Sequence, residues 1–321
     1  MTTRALNRAT LARQGLLERE AVAPAEMAER LVGLQAQEPL PPLIGLWTRC
    51  AGVTREQLEG LIASGALVRA TLMRGTLHLV TPADYRRLRP AVQPLLDQVL
   101  ARHAYTKDLD LAAVGEAARK VFGTGTLDFD EVRDRLAPRF PDANPRGLGY
   151  AARLLLPLVA APDGGFRIEE TGRAIANAKL AQRYAAAFGP ASAADFRAWS
   201  GLKADDGLAA DDGPAPDPDT PAPVRFIPAF DNLVLAHKDR SRVVPPAHQG
   251  KVTTKNLRVN PVFLVDGFAA GTWKADTKRK TAKLVLEPFG RLTKKARGEL
   301  EQEGEALLRF LAPDASGFAV T

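Results

Sequence analysis

The sequence predicts an α+β fold, with helical modules of one recurring element order followed by a β-rich end that a helix closes. Two observations carry the prediction. In the first two thirds of the chain, three helices and a short apolar strand pair occur in that order at 4–80 and again at 108–170. An abbreviated third copy follows at 174–212. From residue 224 the apolar spacing shortens to two, the period of a half-buried strand. Between the two regions, 213–223 is rich in Pro and Asp and has no apolar period, which reads as an extended linker. The expected division is therefore 1–107, 108–173, 174–212, the linker 213–223, and 224–321.

Leu6 to Arg19 reads as the first helix, and Pro24 opens the second, at an early position where its missing N–H costs nothing. Thr54-Arg55-Glu56-Gln57 has capping-box spacing, and Ser64-Gly65 is a helix stop. Leu67–Thr71 and Gly75–Val80 are strand-like runs around Met73-Arg74-Gly75, a hairpin. In the second window helices are expected at 111–122, 128–137 and 146–157. There Pro162-Asp163-Gly164-Gly165 turns between Leu158–Ala160 and Phe166–Ile168. Three helices closed by a hairpin make the winged-helix pattern, a helix-turn-helix variant. The third window offers helices at 174–188 and 192–199, a weak third one, and no wing. Beyond 224, Val224–Ile227, Leu233–Leu235 and Val262–Val265 read as strands. Asp266-Gly267 is a hairpin turn to Phe268–Trp273, and Ala282–Leu286 is a further strand. A helix at 292–311 closes what is expected to be a small β-barrel or β-sheet.

Composition narrows the function. The 321 residues hold 44 Lys and Arg against 37 Asp and Glu, a net charge of +7. With 45% hydrophobic and 25% charged residues the chain is not wholly disordered. Charge is segmented, at +5 over 1–107, −5 over 108–223 and +7 over 224–321. Two basic ends around an acidic middle suit a polyanion, although solvated basic surfaces would show the same balance. A single cysteine, Cys50, excludes an internal disulfide framework, a zinc finger and an iron–sulfur centre held by this chain alone. The four histidines have no metal-ligand spacing, so neither metal nor cofactor is expected. No apolar run approaches the ~18 residues of a membrane span, and the N-terminus has no signal-peptide core. A soluble, cytoplasmic protein without a membrane partner is expected, nucleoid-associated if bacterial.

Gln35 and Gln37 stand two apart. On a helix they would lie about 200° apart and could not converge. Pro39 disfavours helix at Glu38, so the segment is expected to be extended, with both amides on one side. Taken alone, Gln-x-Gln is also an ordinary polar loop. Glu38, next to the pair, could act as a base or simply pair at the surface. Arg69 and Arg74 flank the first hairpin, where a wing meets phosphate, or else line a solvated strand edge. Lys278, Arg279 and Lys280 form a basic turn, either a DNA-backbone contact or a solvated loop. His78 is expected to be structural, and His237, Asp239 and Arg240 a hydrogen-bonded fold element. Trp47, Trp199 and Trp273 are expected in the core, although one could stack on a base.

Several segments together resemble one family. Leu34-Gln35-Ala36-Gln37-Glu38 is followed by Met73-Arg74-Gly75-Thr76-Leu77-His78, Ala187-Phe188-Gly189-Pro190, Asp195-Phe196 and Trp199-Ser200-Gly201-Leu202. Further on come Pro228-Ala229-Phe230-Asp231-Asn232, Asp239-Arg240-Ser241, Leu264-Val265-Asp266-Gly267 and Gly271-Thr272-Trp273. In this order, over nearly the whole chain, they resemble the winged-helix DNA glycosylases of the AlkZ and YcaQ kind. The resemblance implies tandem winged helices in a C-shaped body with a C-terminal β-region. It also implies damaged double-stranded DNA as partner, and excision of bulky N7-alkylated purines, interstrand crosslinks included. The family's catalytic motif is Gln-aliphatic-Gln or Gln-aliphatic-Asp, so Gln35-Ala36-Gln37 matches the AlkZ-like form and makes Gln35 and Gln37 the expected catalytic pair. One departure stands out. The segment after Trp199-Ser200-Gly201-Leu202 is shorter than the family's third winged helix, with the Pro/Asp linker in place of a wing.

A neutral amide is no general base at neutral pH, but it donates and accepts hydrogen bonds. An N7-alkylated purine is already cationic and leaves easily, so positioning and electrostatic help suffice. Gln35 and Gln37 are expected to place a water against the anomeric carbon and to stabilise an oxocarbenium-like state. The motif holds no lysine nucleophile, so a monofunctional hydrolase is expected, and with no coiled-coil or obligate-dimer signal in the sequence a monomer is expected. The alternative is a non-catalytic winged-helix DNA-binding protein or transcriptional regulator. Its recognition helix would be Arg146–Pro157, which is mostly apolar, and only Arg146 and Arg153 could reach DNA.

Overall fold

Two hairpins far apart in sequence meet in one sheet. The computed structural model describes residues 1–162, 164–203, 216–254 and 258–321. The weak helix expected toward 212, part of the linker and Asp163 of the second hairpin turn lie outside the described residues.

The chain begins with α1 (Thr3–Arg13), capped by the Thr2 hydroxyl. The helix expected to reach Arg19 stops here because Gly15 takes a left-handed conformation, φ 65°. After α2 (Pro24–Arg30), β1 (Leu34–Gln35), α3 (Leu40–Trp47) and α4 (Arg55–Ala63) come β2 (Val68–Thr71), β3 (Leu77–Val80) and α5 (Pro82–Arg102). The Thr54–Gln57 capping box of α4 forms in both directions. The sequence did not announce α3 or α5. Pro41 and Pro42 sit in the first turn of α3, where no N–H is needed. Pro90 and Pro94 lie inside α5, which survives them because Tyr85, Leu88, Val92, Leu96 and Leu100 bury one face.

The second stretch holds α6 (Leu111–Phe122), α7 (Phe129–Leu136), α8 (Pro145–Leu155), β4 (Leu158–Ala160) and β5 (Phe166–Ile168), close to expectation. Then come α9 (Asn177–Phe188) and α10 (Ala193–Ser200). The two hairpins join as β1-β3-β2-β4-β5, with Ala70 opposite Val159 where they meet.

The C-terminal region holds β6 (Arg225–Ile227), α11 (Asn232–Leu235), α12 (Gln249–Val252), β7 (Val262–Val265), β8 (Phe268–Thr277), β9 (Thr281–Pro288), α13 (Lys294–Leu311) and β10 (Gly317–Val320). Its strands form an open sheet, β10-β9-β8-β7-β6, and not a closed barrel. β10, unexpected from sequence, pairs parallel with β9 after the crossover through α13. The expected strand Leu233–Leu235 is instead the short helix α11, because Asp231 caps it by accepting from Leu233 N at 2.8 Å.

The chain's beginning is tied to this region. Asn7 of α1 donates to the carbonyls of Arg242 and Gly267, and Arg8, fully buried, pairs with Asp266. Gly267 is required at that turn (φ 80°), since a Cβ there would lie 2.4 Å from the Asn7 amide oxygen. Asp266-Gly267 is thus a docking point for α1 as well as a hairpin turn.

Candidate active site

β1 is the edge strand of the first sheet, paired antiparallel with β3 so that Leu34 faces Leu79 and Gln35 faces His78. The pairing continues past β1, as Ala36 N donates to Leu77 O at 2.7 Å. The motif is therefore extended through Ala36, and Gln37 stands in the bend that follows. Strand alternation puts Gln35 on the sheet face of His78 and Ala70, with Leu34 and Ala36 on the other. Gln35 is 9% exposed and Gln37 stands open to solvent.

The approach to the motif is tightly specified. Val32 (φ 52°) and Gly33 (φ 89°) turn the chain from α2 into β1. A Cβ on Gly33 would lie 2.5 Å from Val80 Cγ1, so glycine is needed for closeness as well as for φ.

Both amides have protein partners. Arg74 Nη2 donates to Gln35 Oε1 at 2.9 Å, and Leu77 N makes a longer bond, 3.4 Å, to Gln37 Oε1. Arg74 occupies the 3-10 turn between β2 and β3 at φ 56°, and its Nη1 donates to the Trp199 carbonyl. Burial pushes its pKa down to about 10, so it keeps its charge at neutral pH. Arg74 is thus turned into the protein and bonded to the motif, not laid along a wing edge for phosphate.

His78 is fully buried. Its Nδ1–H donates to the Thr76 carbonyl at 3.0 Å, which leaves Nε2 as a bare acceptor with no hydrogen-bond partner among the described residues. Burial first, and the Arg74 charge second, lower its pKa to about 3 and keep the ring neutral. Glu38 is half exposed, 3.8 Å from Arg258.

A second set of residues, not singled out as functional in the sequence, holds the segment from behind. Asn232 Nδ2 donates to the carbonyls of Gly33 (2.7 Å) and Leu31 (3.4 Å), while its Oδ1 accepts from Trp199 Nε1 at 3.3 Å. Neighbouring Asp231 makes a buried two-point pair with Arg49, 2.7 and 2.9 Å, and Arg49 also reaches Gln14 Oε1 and Gly45 O. The sequence signal for this support is the Pro228–Asn232 segment.

The other expected DNA contacts are spread out. Arg69 is partly buried, with its pKa lowered by desolvation, and lines a cleft of about 420 Å³ with Ala36, Pro39, Leu79 and Arg167. Lys278, Arg279 and Lys280 are exposed in the turn between β8 and β9, with Lys278 3.7 Å from Asp276. Arg153 donates to Thr71 Oγ1 at 3.1 Å and to Gly75 O at 3.3 Å, bracing the first hairpin from α8. His237 donates to Phe188 O, Asp239 accepts from Ser241, and Arg240 donates to Thr253, so each serves the fold. Trp47, Trp199 and Trp273 are core residues.

Comparison with known proteins gives this geometry a family. No curated protein matches the chain. The solved structure of the Streptomyces sahachiroi DNA glycosylase AlkZ superposes with a TM-score of 0.79 at 20% identity, covering 100% of this chain and 99% of that one. The family model "DNA glycosylase AlkZ-like" matches residues 28–310, from α2 almost to the end of α13, and the chain therefore belongs to the AlkZ-like DNA glycosylase family.

Proposed function

We propose that this chain is a monofunctional DNA glycosylase that hydrolyses the N-glycosidic bond of N7-alkylated purines in duplex DNA, bulky adducts and interstrand crosslinks among them. The observation that carries the reading is the placing of Gln35 at the end of an edge strand and of Gln37 in the bend that follows, their amide oxygens bonded by Arg74 and Leu77. Such amides can position and polarise, and a cationic purine asks for little more. Glu38 is the nearest carboxylate in sequence and stands toward solvent, where it could accept a proton from water. We assign the two sequential helix-and-hairpin modules and the shortened third one to holding duplex DNA as a monomer. Lys278, Arg279, Lys280 and Arg69 supply backbone contacts. The turning of Arg153 into the first hairpin counts against a sequence-reading regulator, since it withdraws one of the two side chains α8 could offer a base.

The test is base release from duplexes carrying a single N7-methylguanine or an N7-linked interstrand crosslink, read after alkaline cleavage of abasic sites. The native protein should release base, and Q35A and Q37A should each lose about 100-fold or more in rate. Release undiminished in both variants would move the active site, with Glu38→Gln the next variant to measure. Salt-dependent duplex binding with no release from either substrate would favour the non-catalytic binding protein.

A further inference from the structure

We propose that Arg74 is a positioning residue that fixes the Gln35 amide so that Gln35 meets the substrate as a hydrogen-bond donor. The proposal rests on the reading of Gln35 as a catalytic residue. A guanidinium carries only donors. The Gln35 atom 2.9 Å from Arg74 Nη2 must therefore be the carbonyl oxygen, and the NH₂ group points away from Arg74. A flipped amide would set donor against donor.

Arg74 is not free to follow such a flip. Its second nitrogen is spent on the Trp199 carbonyl, its backbone is held at φ 56°, and the next carbonyl, Gly75 O, is bonded by Arg153. Trp199 is held in turn through its ring nitrogen by Asn232, and Asn232 grips Gly33, two residues before Gln35. The bonds run from Gln35 through Arg74, Trp199 and Asn232 back to Gly33, a closed loop around the motif. The charge of Arg74 also polarises the amide it touches and strengthens the NH₂ as a donor.

A donor suits the departing base. As the C1′–N9 bond breaks, its electron pair moves onto the purine and discharges the N7 cation. Water adds at C1′ and loses a proton to solvent. A donor aimed at a purine acceptor, ring N3 or O6, gains strength as that electron density arrives, and so favours the transition state over the bound substrate.

The experiment uses Q35E, R74M and R74K in the full chain, with the N7-methylguanine duplex as probe. Q35E keeps size and the Arg74 contact but has no NH₂. It should fold, and lose about 100-fold or more in kcat with KM little changed. R74M should lose about 10- to 100-fold in kcat, again with KM little changed, and R74K should recover part of it. In ¹H–¹⁵N spectra the Gln35 side-chain amide pair, identified by its absence in Q35A, should move toward free glutamine in R74M and less so in R74K. Full activity of Q35E overturns the donor role. An unmoved Gln35 resonance with unchanged kcat in R74M, or in R74K if R74M does not fold, overturns the positioning role. Activity that survives in Q35A would instead defeat the catalytic reading, and the resonance arm would still decide what Arg74 does.

Discussion

Asn232 Nδ2 donates to the Gly33 carbonyl over 2.7 Å, across 199 positions of sequence. The bond ties the C-terminal region to the turn that delivers the Gln-Ala-Gln segment. It works in a buried setting, with Asn232 3% exposed and both of its polar side-chain atoms hydrogen-bonded to protein. The turn before Gln35 is therefore held by a residue from the C-terminal region as well as by its own neighbours.

Asn232→Ala strands two buried carbonyls and the Trp199 ring nitrogen. Each unsatisfied group costs about 1–3 kcal/mol, so a loss of at least 2 kcal/mol in unfolding free energy is expected. Asn232→Asp keeps the volume but sets a carboxylate against the Gly33 and Leu31 carbonyls, and should be no better. Urea unfolding at neutral pH measures both, and a variant within about 0.5 kcal/mol of the native protein would refute the clamp.

The Arg49–Asp231 pair behind that clamp is almost wholly buried, at 0% and 1% side-chain exposure. Breaking one side of such a pair costs about 3–5 kcal/mol, because the remaining charge is left without compensation. D231A should therefore be much less stable than native. Asp231 also caps α11, so D231N, which keeps an oxygen for Leu233 N, should fall between the two. The double variant R49M/D231N should be less damaged than the sum of its parts, as a double-mutant cycle in denaturant would show.

How much of this could be read in advance follows from how local each signal is. The Thr54–Gln57 capping box, the helix stop at Gly65 and the turn at Asp266-Gly267 are determined within four residues, and they stand where expected. Pro39 restricts its neighbour, which made the absence of helix at Gln35-Ala36-Gln37 legible, but not the bend that begins at Gln37. Asn232's role was not, because nothing near residue 232 refers to Gly33. α5 was hidden by Pro90 and Pro94, whose cost is met by burial and not by propensity. Leu233–Leu235 misled because three apolar residues fit strand or helix equally well until the Asp231 cap decides.

His78 and His237 predict acid sensitivity. Burial lowers their pKa values to about 3 and about 4, from an ordinary value near 6.5. In that window the unfolded chain binds more protons than the folded one, so stability falls as pH drops below about 6.5. At pH 5 each histidine should remove about 2 kcal/mol relative to pH 7.5. The urea midpoint measures the drop, and H78L should flatten the pH dependence by roughly half. A slope unchanged in H78L would mean that the buried ring is not what titrates.

The basic turn at Lys278, Arg279 and Lys280 makes a prediction that separates binding from chemistry. All three side chains are exposed, and the turn lies outside both hydrophobic cores, so the triple alanine variant should unfold like the native protein, within about 0.5 kcal/mol. If the turn tracks a DNA backbone, each lost phosphate contact should lower the slope of log K against log salt by about 0.9, and duplex affinity should fall for damaged and undamaged DNA alike. Lys278 already has Asp276 at 3.7 Å, so a change nearer two contacts than three is expected. The rate of base release at saturating enzyme should be preserved, because no side chain of the turn is bonded to the Gln35 network. An unchanged salt slope would make the turn a solvated loop and turn the same test to the half-buried Arg69.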